Sequence, residues 1–231
     1  MIGTGPGIVV TGGAGALGRA VVRALVEQGH RVAVPYRGSP GWQSLKAELA
    51  ATGRLWGEAA DMADLGSARR FVDSAAREFG GLDGVAAIAG GYAGSGKLET
   101  TPDTEWEEMV RVNLTSAHAT CKAALPHLLR AGGSVVTVVS RSAESGGAGA
   151  AAYTTAKMGV LALTRALALE NRERGVRFNA ISPGIIDTEA NRIAMPRADR
   201  AQWTSTDAIA RVVAWLLSPA SAPVTGGVFP V

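Results

Sequence analysis

Short apolar runs alternate with longer helical patterns along the chain. The short runs contain few polar positions, which is typical of strands buried on both faces of a parallel sheet. The stretches between them repeat apolar residues at helical spacing. We predict strands at residues 8–11, 31–36, 55–60, 82–89, 134–140, 176–182 and 227–231, and helices at 17–28, 41–51, 65–79, 104–130, 152–174 and 206–217.

This alternation predicts the fold class. Strands that alternate with helices imply right-handed crossovers and a parallel sheet with helices on both faces. No Pro/Ser-rich linker, low-complexity block or internal repeat divides the chain. We therefore predict one α/β domain over residues 1–231, with a doubly wound parallel sheet of about seven strands.

Composition excludes several classes of protein. Hydrophobic residues make up 47% of the 231 residues and charged residues 19%, which fits a core-rich globular protein. The net charge is only +3, and the basic clusters at 69–70 and 172–174 are interpreted as solvated helix faces. The five tryptophans are dispersed rather than grouped as a stacking platform. We therefore expect no nucleic-acid partner.

Cysteine and histidine usage indicates a cytoplasmic protein without a metal site. Cys121 is the only cysteine, so no internal disulfide is possible, and we interpret it as a packed side chain. His30, His118 and His127 are scattered without metal-ligand spacing. No apolar stretch is long enough to span a membrane, and residues 1–7 show no signal-peptide pattern.

A glycine-rich turn follows the first predicted strand. Residues 13–18 match G-x-G-x-x-G, immediately before a predicted helix. Glycines let the backbone turn tightly and approach a pyrophosphate, and the helix N-terminus offers free N–H groups. This context predicts a dinucleotide site in a Rossmann-type fold.

The end of the second predicted strand bears on the choice of dinucleotide. A carboxylate there would bind the ribose 2′-hydroxyl of NAD, but this strand ends in Tyr36-Arg37 without an acid. Arg37 could pair with a 2′-phosphate, because guanidinium matches phosphate geometry, or it could be a solvated loop residue. NADP(H) is therefore favoured, with NAD(H) as the alternative.

Tyr153 and Lys157 are spaced to share one face of a helix, and Ser140 lies thirteen residues before Tyr153. An ammonium beside a phenol favours the phenolate, so we expect Lys157 to lower the pKa of Tyr153. Such a tyrosine can exchange a proton with a substrate oxygen, which a serine hydroxyl can hold in place. These residues predict an enzyme.

With these motifs in place, the chain resembles the short-chain dehydrogenase/reductase family over nearly its full length. Thr11, Gly12 and Gly18 match its T-G-x-x-x-G-x-G motif, although Ala16 replaces the middle glycine. The family's N-N-A-G motif is degenerate here and retains only its last two residues. The resemblance implies a cofactor site formed by Gly12, Gly15, Ala16, Leu17, Gly18, Arg37, Asp61, Met62, Ala89, Gly90, Tyr153, Lys157, Pro183, Gly184, Ile186 and Thr188.

The resemblance also implies roles for the catalytic residues Asn113, Ser140, Tyr153 and Lys157. Ser140 would hydrogen-bond the substrate oxygen, Tyr153 would act as general acid or base, and Lys157 would bind the nicotinamide ribose. Asn113 would hold a water in a relay to Lys157. By itself, an asparagine in a helix is more often a capping or kink residue.

Two short segments, 89–94 and 187–204, are similar to dihydropteridine reductases. Tyr92 and Trp203 could flank a flat ring, or Tyr92 could simply cover the cleft. We predict Tyr92, Ser142 and Trp203 as substrate residues.

We therefore expect an NADP(H)-dependent oxidoreductase that acts on a small-molecule carbonyl or alcohol substrate. The alternatives are a reductase of a dihydropteridine-like or imine substrate, and a dinucleotide sensor without turnover. The resemblance further implies a homodimer or homotetramer.

Overall fold

The computed structural model describes residues 7–231, and the side chains of all of these except Ser39. The predicted absence of a signal peptide rests almost wholly on residues outside this range. Within it, no helix is both long and apolar enough to cross a membrane.

The strands within residues 7–231 are β1 (Gly7–Thr11), β2 (Arg31–Tyr36), β3 (Leu55–Ala59), β4 (Gly84–Ala87), β5 (Gly133–Val138), β6 (Val176–Ser182), β7 (Ile186–Asp187), β8 (Thr204–Ser205) and β9 (Val228–Pro230). Seven of these strands form one parallel sheet in the order β3-β2-β1-β4-β5-β6-β9, and β7 pairs with β8 separately. The helices are α1 (Ala16–Glu27), α2 (Ser39–Leu49), α3 (Leu65–Phe79), α4 (Asp103–Met109), α5 (Ser116–Leu128), α6 (Arg141–Glu144), α7 (Ala151–Asn171), α8 (Glu189–Ala194) and α9 (Thr206–Leu217).

The order of the strands places a crevice at the centre of the sheet. From β1 the chain moves outward to β2 and β3, then returns to β4 on the other side of β1. In open parallel sheets, ligands bind outside the carboxyl ends of the strands where the order reverses in this way. The crevice between β1 and β4 is therefore where a ligand site is expected.

Hydrophobic cores on both faces of the sheet hold helices against it, which confirms the predicted fold class. Side chains of successive strand residues point to opposite faces. Ile8 and Val10 accordingly pack in one core with α1, α2 and α9, while Val9 packs in the other with α3 and α5. All five residues of β1 are buried, as the continuous apolar pattern predicts.

The structure differs from the predicted elements in three places. The helix predicted at 104–130 is interrupted by a π-helical turn, Val110–Thr115, which separates α4 from α5. The strand predicted at 82–89 is shorter, because only Gly84–Ala87 pairs with its neighbours. Segments predicted as loops contain α6, α8 and the β7–β8 pair, elements too short to leave a periodic pattern.

Candidate active site

The turn after β1 brings backbone segments very close together. Gly12 has a φ of +70°, and a Cβ there would lie 3.0 Å from the Ala89 backbone. The Ala89 N–H donates to Thr11 Oγ1 at 3.1 Å, which ties the end of β1 to the segment after β4. α1 begins after Gly15, and no side chain accepts a hydrogen bond from its first turn. The free N–H groups of this turn can therefore bind an anionic ligand.

A cavity of about 440 Å³ lies beside this turn, at the carboxyl ends of β1, β2, β3 and β4. It contains many of the residues predicted to bind the cofactor. The predicted residues that line it are Gly12, Gly15, Arg37, Asp61, Met62, Ala89 and Gly90, with Tyr92 from the predicted substrate set. We call this space the β2-side cavity.

Arg111 is a residue of the β2-side cavity that sequence reasoning missed. Its guanidinium lies 3.2 Å from Asp61 Oδ2 and donates to Glu108 at 2.8 Å. The Arg111 hydrogen bond, with a smaller contribution from the charge of Arg37, lowers the pKa of Glu108. Asp61 and Arg111 are fifty residues apart, so no local spacing could indicate their pairing.

A second cavity, of about 210 Å³, shares Gly90 and Gly91 with the first. It contains three of the four predicted catalytic residues and, besides Tyr153 and Lys157, five residues predicted to bind the cofactor. The lining residues are Leu17, Ser140, Tyr153, Lys157, Pro183, Gly184 and Ile186, together with Ile88, Gly90, Gly91, Val138 and Val139. We call it the catalytic cavity. The two cavities adjoin at Gly90 and Gly91, beside the crevice between β1 and β4. We call the two cavities together the groove.

Tyr153 lies half-buried in the catalytic cavity, within hydrogen-bonding reach of Ser140. Ser140 Oγ is also 2.8 Å from Ser142 Oγ, and the Tyr92 ring packs edge-on against Tyr153 at 5.0 Å. Burial raises the pKa of Tyr153, the Ser140 hydrogen bond opposes that shift, and Tyr92 adds to it. The predicted lowering of this pKa by Lys157 is therefore wrong for this structure, because desolvation outweighs the other effects.

Lys157 is buried, and its Nζ donates to the Val138 carbonyl at 2.9 Å. The Nζ lies 5.8 Å from the centre of the Tyr153 ring. Burial lowers the pKa of Lys157 from 10.5 to about 8, because removal from water disfavours the ammonium. The residue thus titrates much closer to neutral pH than an exposed lysine.

Asn113 lies in the π-helical turn, and both the nitrogen and the oxygen of its side-chain amide make hydrogen bonds. Its amide donates to the carbonyls of Gly91 and Met109 at 3.0 Å each, and its oxygen accepts the Gly91 N–H at 3.2 Å. A Cβ on Gly90 would lie 2.5 Å from Asn113 Oδ1 and 3.3 Å from Lys157 Nζ. Asn113 and Lys157 therefore flank Gly90, and π-helical turns of this kind are frequent at functional sites.

Burial of Lys157 predicts a stability that depends on pH. Between about pH 8 and pH 10.5 the unfolded chain keeps a proton that folded Lys157 has lost. Lys157 should therefore contribute a rise in the free energy of unfolding across this range, by on the order of 3 kcal/mol at most, and its burial penalty should be fully present below it. Burial also raises the pKa of the Cys121 thiol to about 12, which lowers the free energy of unfolding above about pH 9 and opposes the rise there. Urea unfolding of the wild type and of Lys157→Met on both sides of this range should therefore differ by the Lys157 contribution.

Lys46→Met is the matched control, because Lys46 is exposed on α2. This variant should keep the pH dependence of unfolding that the wild type shows. If Lys157→Met also kept that pH dependence, a group other than Lys157 would be its cause.

Other predicted residues lie outside the two cavities. Ala16 and Gly18 lie in α1 behind the turn, and Thr188 caps α8 by accepting the Asn191 N–H at 3.2 Å. Trp203 packs under Arg200, with the guanidinium 5.7 Å from the ring centre. Within residues 7–231, no three His, Cys, Asp or Glu residues are grouped to hold a metal ion.

Comparison with known proteins agrees with this geometry. The family model described as enoyl-(acyl carrier protein) reductase matches residues 12–231. L-Fucose dehydrogenase of Mus musculus is 35% identical, over 80% of this chain and 67% of its own length. D-Threitol dehydrogenase of Mycolicibacterium smegmatis is 31% identical, over 94% of this chain and 88% of its own length.

The crystal structure of levodione reductase superimposes with a TM-score of 0.91 at 27% identity, covering 100% of this chain and 97% of that chain. The family resemblance read from the sequence is thus confirmed. The chain belongs to the short-chain dehydrogenase/reductase family of oxidoreductases, which act on CH–OH and C=O groups.

Proposed function

We propose that this enzyme reduces the carbonyl group of a small molecule, with NADP(H) as its preferred cofactor and Tyr153 as the proton donor. The observation that carries the proposal is the meeting of Ser140, Tyr153 and Lys157 in one cavity that opens into the glycine-lined groove. One domain would then carry both the cofactor site and the substrate site.

The residues of the groove fit a dinucleotide. Gly12 and Gly15 line the β2-side cavity without side chains, so a pyrophosphate there can approach the first turn of α1. Pro183, Gly184 and Ile186 line the catalytic cavity and would hold the nicotinamide there. When bound, the nicotinamide supplies the hydride to the carbonyl carbon, or accepts it in the reverse direction.

Side chains of the protein supply the proton that the carbonyl oxygen receives. Ser140, held by Ser142, donates a hydrogen bond to the carbonyl oxygen as negative charge develops there. Tyr153 then gives up its phenolic proton to that oxygen, so that an alcohol and a phenolate result. Its raised pKa suits this direction, because the phenol stays protonated at neutral pH. Lys157 and Asn113 connect the phenolate to solvent for reprotonation.

Arg37 supports the preference for NADP(H). It is exposed at the end of β2 and lines the β2-side cavity, without a carboxylate at that strand end to bind a ribose 2′-hydroxyl. We expect a higher kcat/KM for NADPH than for NADH with a panel of ketones. Arg37→Gln should lower kcat/KM for NADPH by about tenfold or more and leave that for NADH nearly unchanged.

Arg69→Gln is the control, because Arg69 is exposed on α3 and lines neither cavity. A preference for NADH in the wild type would overturn the role of Arg37. The panel should also contain quinones, imines and quinonoid dihydropterin. Rapid turnover of the dihydropterin without reduction of ketones would favour the alternative substrate class, and cofactor binding without any turnover would favour a sensor.

Assembly and location stay predictions. An apolar groove on the outer surfaces of α5 and α7, with Leu125 and Leu163 among its lining residues, is compatible with a homodimer or homotetramer. A cytoplasmic location is predicted from the single cysteine, which leaves no internal disulfide possible.

A further inference from the structure

Arg141 immediately follows Ser140 and is the first residue of α6. Its backbone is held firmly, since its N–H donates to the Pro183 carbonyl at 3.0 Å and its own carbonyl accepts the Ser145 N–H at 3.1 Å. These bonds fix the start of the Arg141 side chain beside the segment that lines the catalytic cavity.

The guanidinium of Arg141 lies beside a residue of that cavity, although Arg141 itself does not line it. Its Nη1 is 3.5 Å from the position that a Cβ on Gly184 would take, and its Cδ is 3.9 Å from the same point. Gly184 lines the catalytic cavity together with Ser140 and Tyr153. Because Gly184 has no side chain, the guanidinium can approach this edge of the cavity closely.

The charge of Arg141 is not neutralised within the described part of the chain. Its guanidinium makes no hydrogen bond or ion pair with any of residues 7–231. The nearest acid in sequence, Glu144, instead accepts a hydrogen bond from Ser182. Asp187, on β7, is paired with Arg192 at 2.6 Å. A positive charge with free donors is therefore left beside the reacting groups.

We propose that Arg141 is a substrate-binding residue that selects carbonyl compounds carrying a carboxylate. The planar fork of a guanidinium matches a carboxylate with two parallel hydrogen bonds. A keto acid can place its carbonyl at Ser140 and Tyr153 while its carboxylate binds the Arg141 guanidinium. This inference rests on the proposed carbonyl reduction and narrows its substrate class.

The proposal assigns the two groups of the substrate to separate positions, with the carbonyl at Ser140 and Tyr153 and the carboxylate at Arg141. A keto acid whose two groups are adjacent should therefore bridge these positions less well than a longer one. The preference for an acid over its neutral ester should therefore increase along a series from pyruvate through levulinate to longer unbranched keto acids.

The test compares each keto acid with its methyl ester, using NADPH oxidation by the wild type, Arg141→Met and Arg141→Lys. The wild type should prefer the longer acids to their esters. Arg141→Met should lower kcat/KM for these acids by about tenfold or more, with the loss mainly in KM, and leave the esters nearly unchanged. Arg141→Lys should retain part of the preference. Arg69→Met is the matched control and should behave as the wild type does.

A second readout does not depend on turnover. Calorimetric titration of the NADP⁺-loaded protein with levulinate should show binding that weakens in Arg141→Met. Equal effects of Arg141→Met on acids and esters, or a wild type without preference for the acids, would overturn the inference while carbonyl reduction stands. If no ketone of either kind is reduced, the proposed function itself fails.

Discussion

Replacing Tyr153 with phenylalanine should lower kcat for ketone reduction by about 10²–10⁴-fold, the usual contribution of a general acid. The substitution removes one hydroxyl and keeps the ring, including its edge-on contact with Tyr92 at 5.0 Å. The fold and the groove should therefore persist. Stopped-flow measurement of NADPH oxidation, with the NADPH dissociation constant measured in parallel, separates lost chemistry from lost binding.

The comparison variant is Tyr92→Phe, which also removes a phenol hydroxyl while it keeps a ring. Tyr92 is 69% exposed, so the loss of its hydroxyl should change kcat far less than the loss of the Tyr153 hydroxyl in the catalytic cavity. Turnover of Tyr153→Phe close to that of the wild type would remove Tyr153 as the proton donor.

The pH dependence of the wild type provides an independent check on Tyr153. Burial raises its pKa above 10.0, and an acid works only while it is protonated. The rate of reduction should therefore stay level through neutral pH and decline only as the pH rises through this raised pKa. The reverse oxidation needs the phenolate, so its rate should increase over the same range.

Replacing Gly18 with alanine should destabilise the protein by about 3 kcal/mol or more and abolish tight cofactor binding. A Cβ on Gly18 would lie 2.0 Å from the Gly12 carbonyl oxygen and 2.7 Å from Gly13 Cα. Both are backbone atoms, so no side chain can move aside. The same Gly12 oxygen accepts the Gly15 N–H at 2.9 Å, so displacing it would open the turn that faces the groove.

Urea unfolding measures the loss of stability in Gly18→Ala, and quenching of tryptophan fluorescence by NADPH measures binding. Gly41→Ala is the matched control, because a Cβ at this position of α2 would meet Ala14 at an ordinary 3.4 Å. That variant should be as stable as the wild type or slightly more stable, since alanine favours a helix over glycine. Normal stability and NADPH binding in Gly18→Ala would contradict the close packing of α1 on the turn.

Gly18 lines neither cavity, yet the sequence was sufficient to predict that this position matters. Sequence reasoning placed it among the cofactor residues because it ends the G-x-G-x-x-G spacing. The structure gives it a packing role behind the turn, while Gly12 and Gly15 line the β2-side cavity. The G-x-G-x-x-G motif therefore predicted the local structure correctly. It could not distinguish residues that line the cavity from residues that pack behind them.

The π-helical turn illustrates the opposite case. The periodicity of residues 104–130 predicts one helix, and the helical path does continue, but Val110–Thr115 is wound more widely. The side-chain amide of Asn113 donates both to Met109 at the end of α4 and to Gly91 in another segment. Because that second partner comes from a distant part of the chain, the periodicity of the helix itself could not indicate it.

Local order along the chain was sufficient to predict the doubly wound sheet, the glycine turn and the Tyr153–Lys157 pair. Each depends on backbone periodicity or on residues a few positions apart. Only the tertiary structure decided the pairing of Arg111 with Asp61, the place of Arg141 beside Gly184, and the direction of the Tyr153 pKa shift. These depend on burial and on contacts between distant segments, and desolvation in particular exists only once the chain has folded.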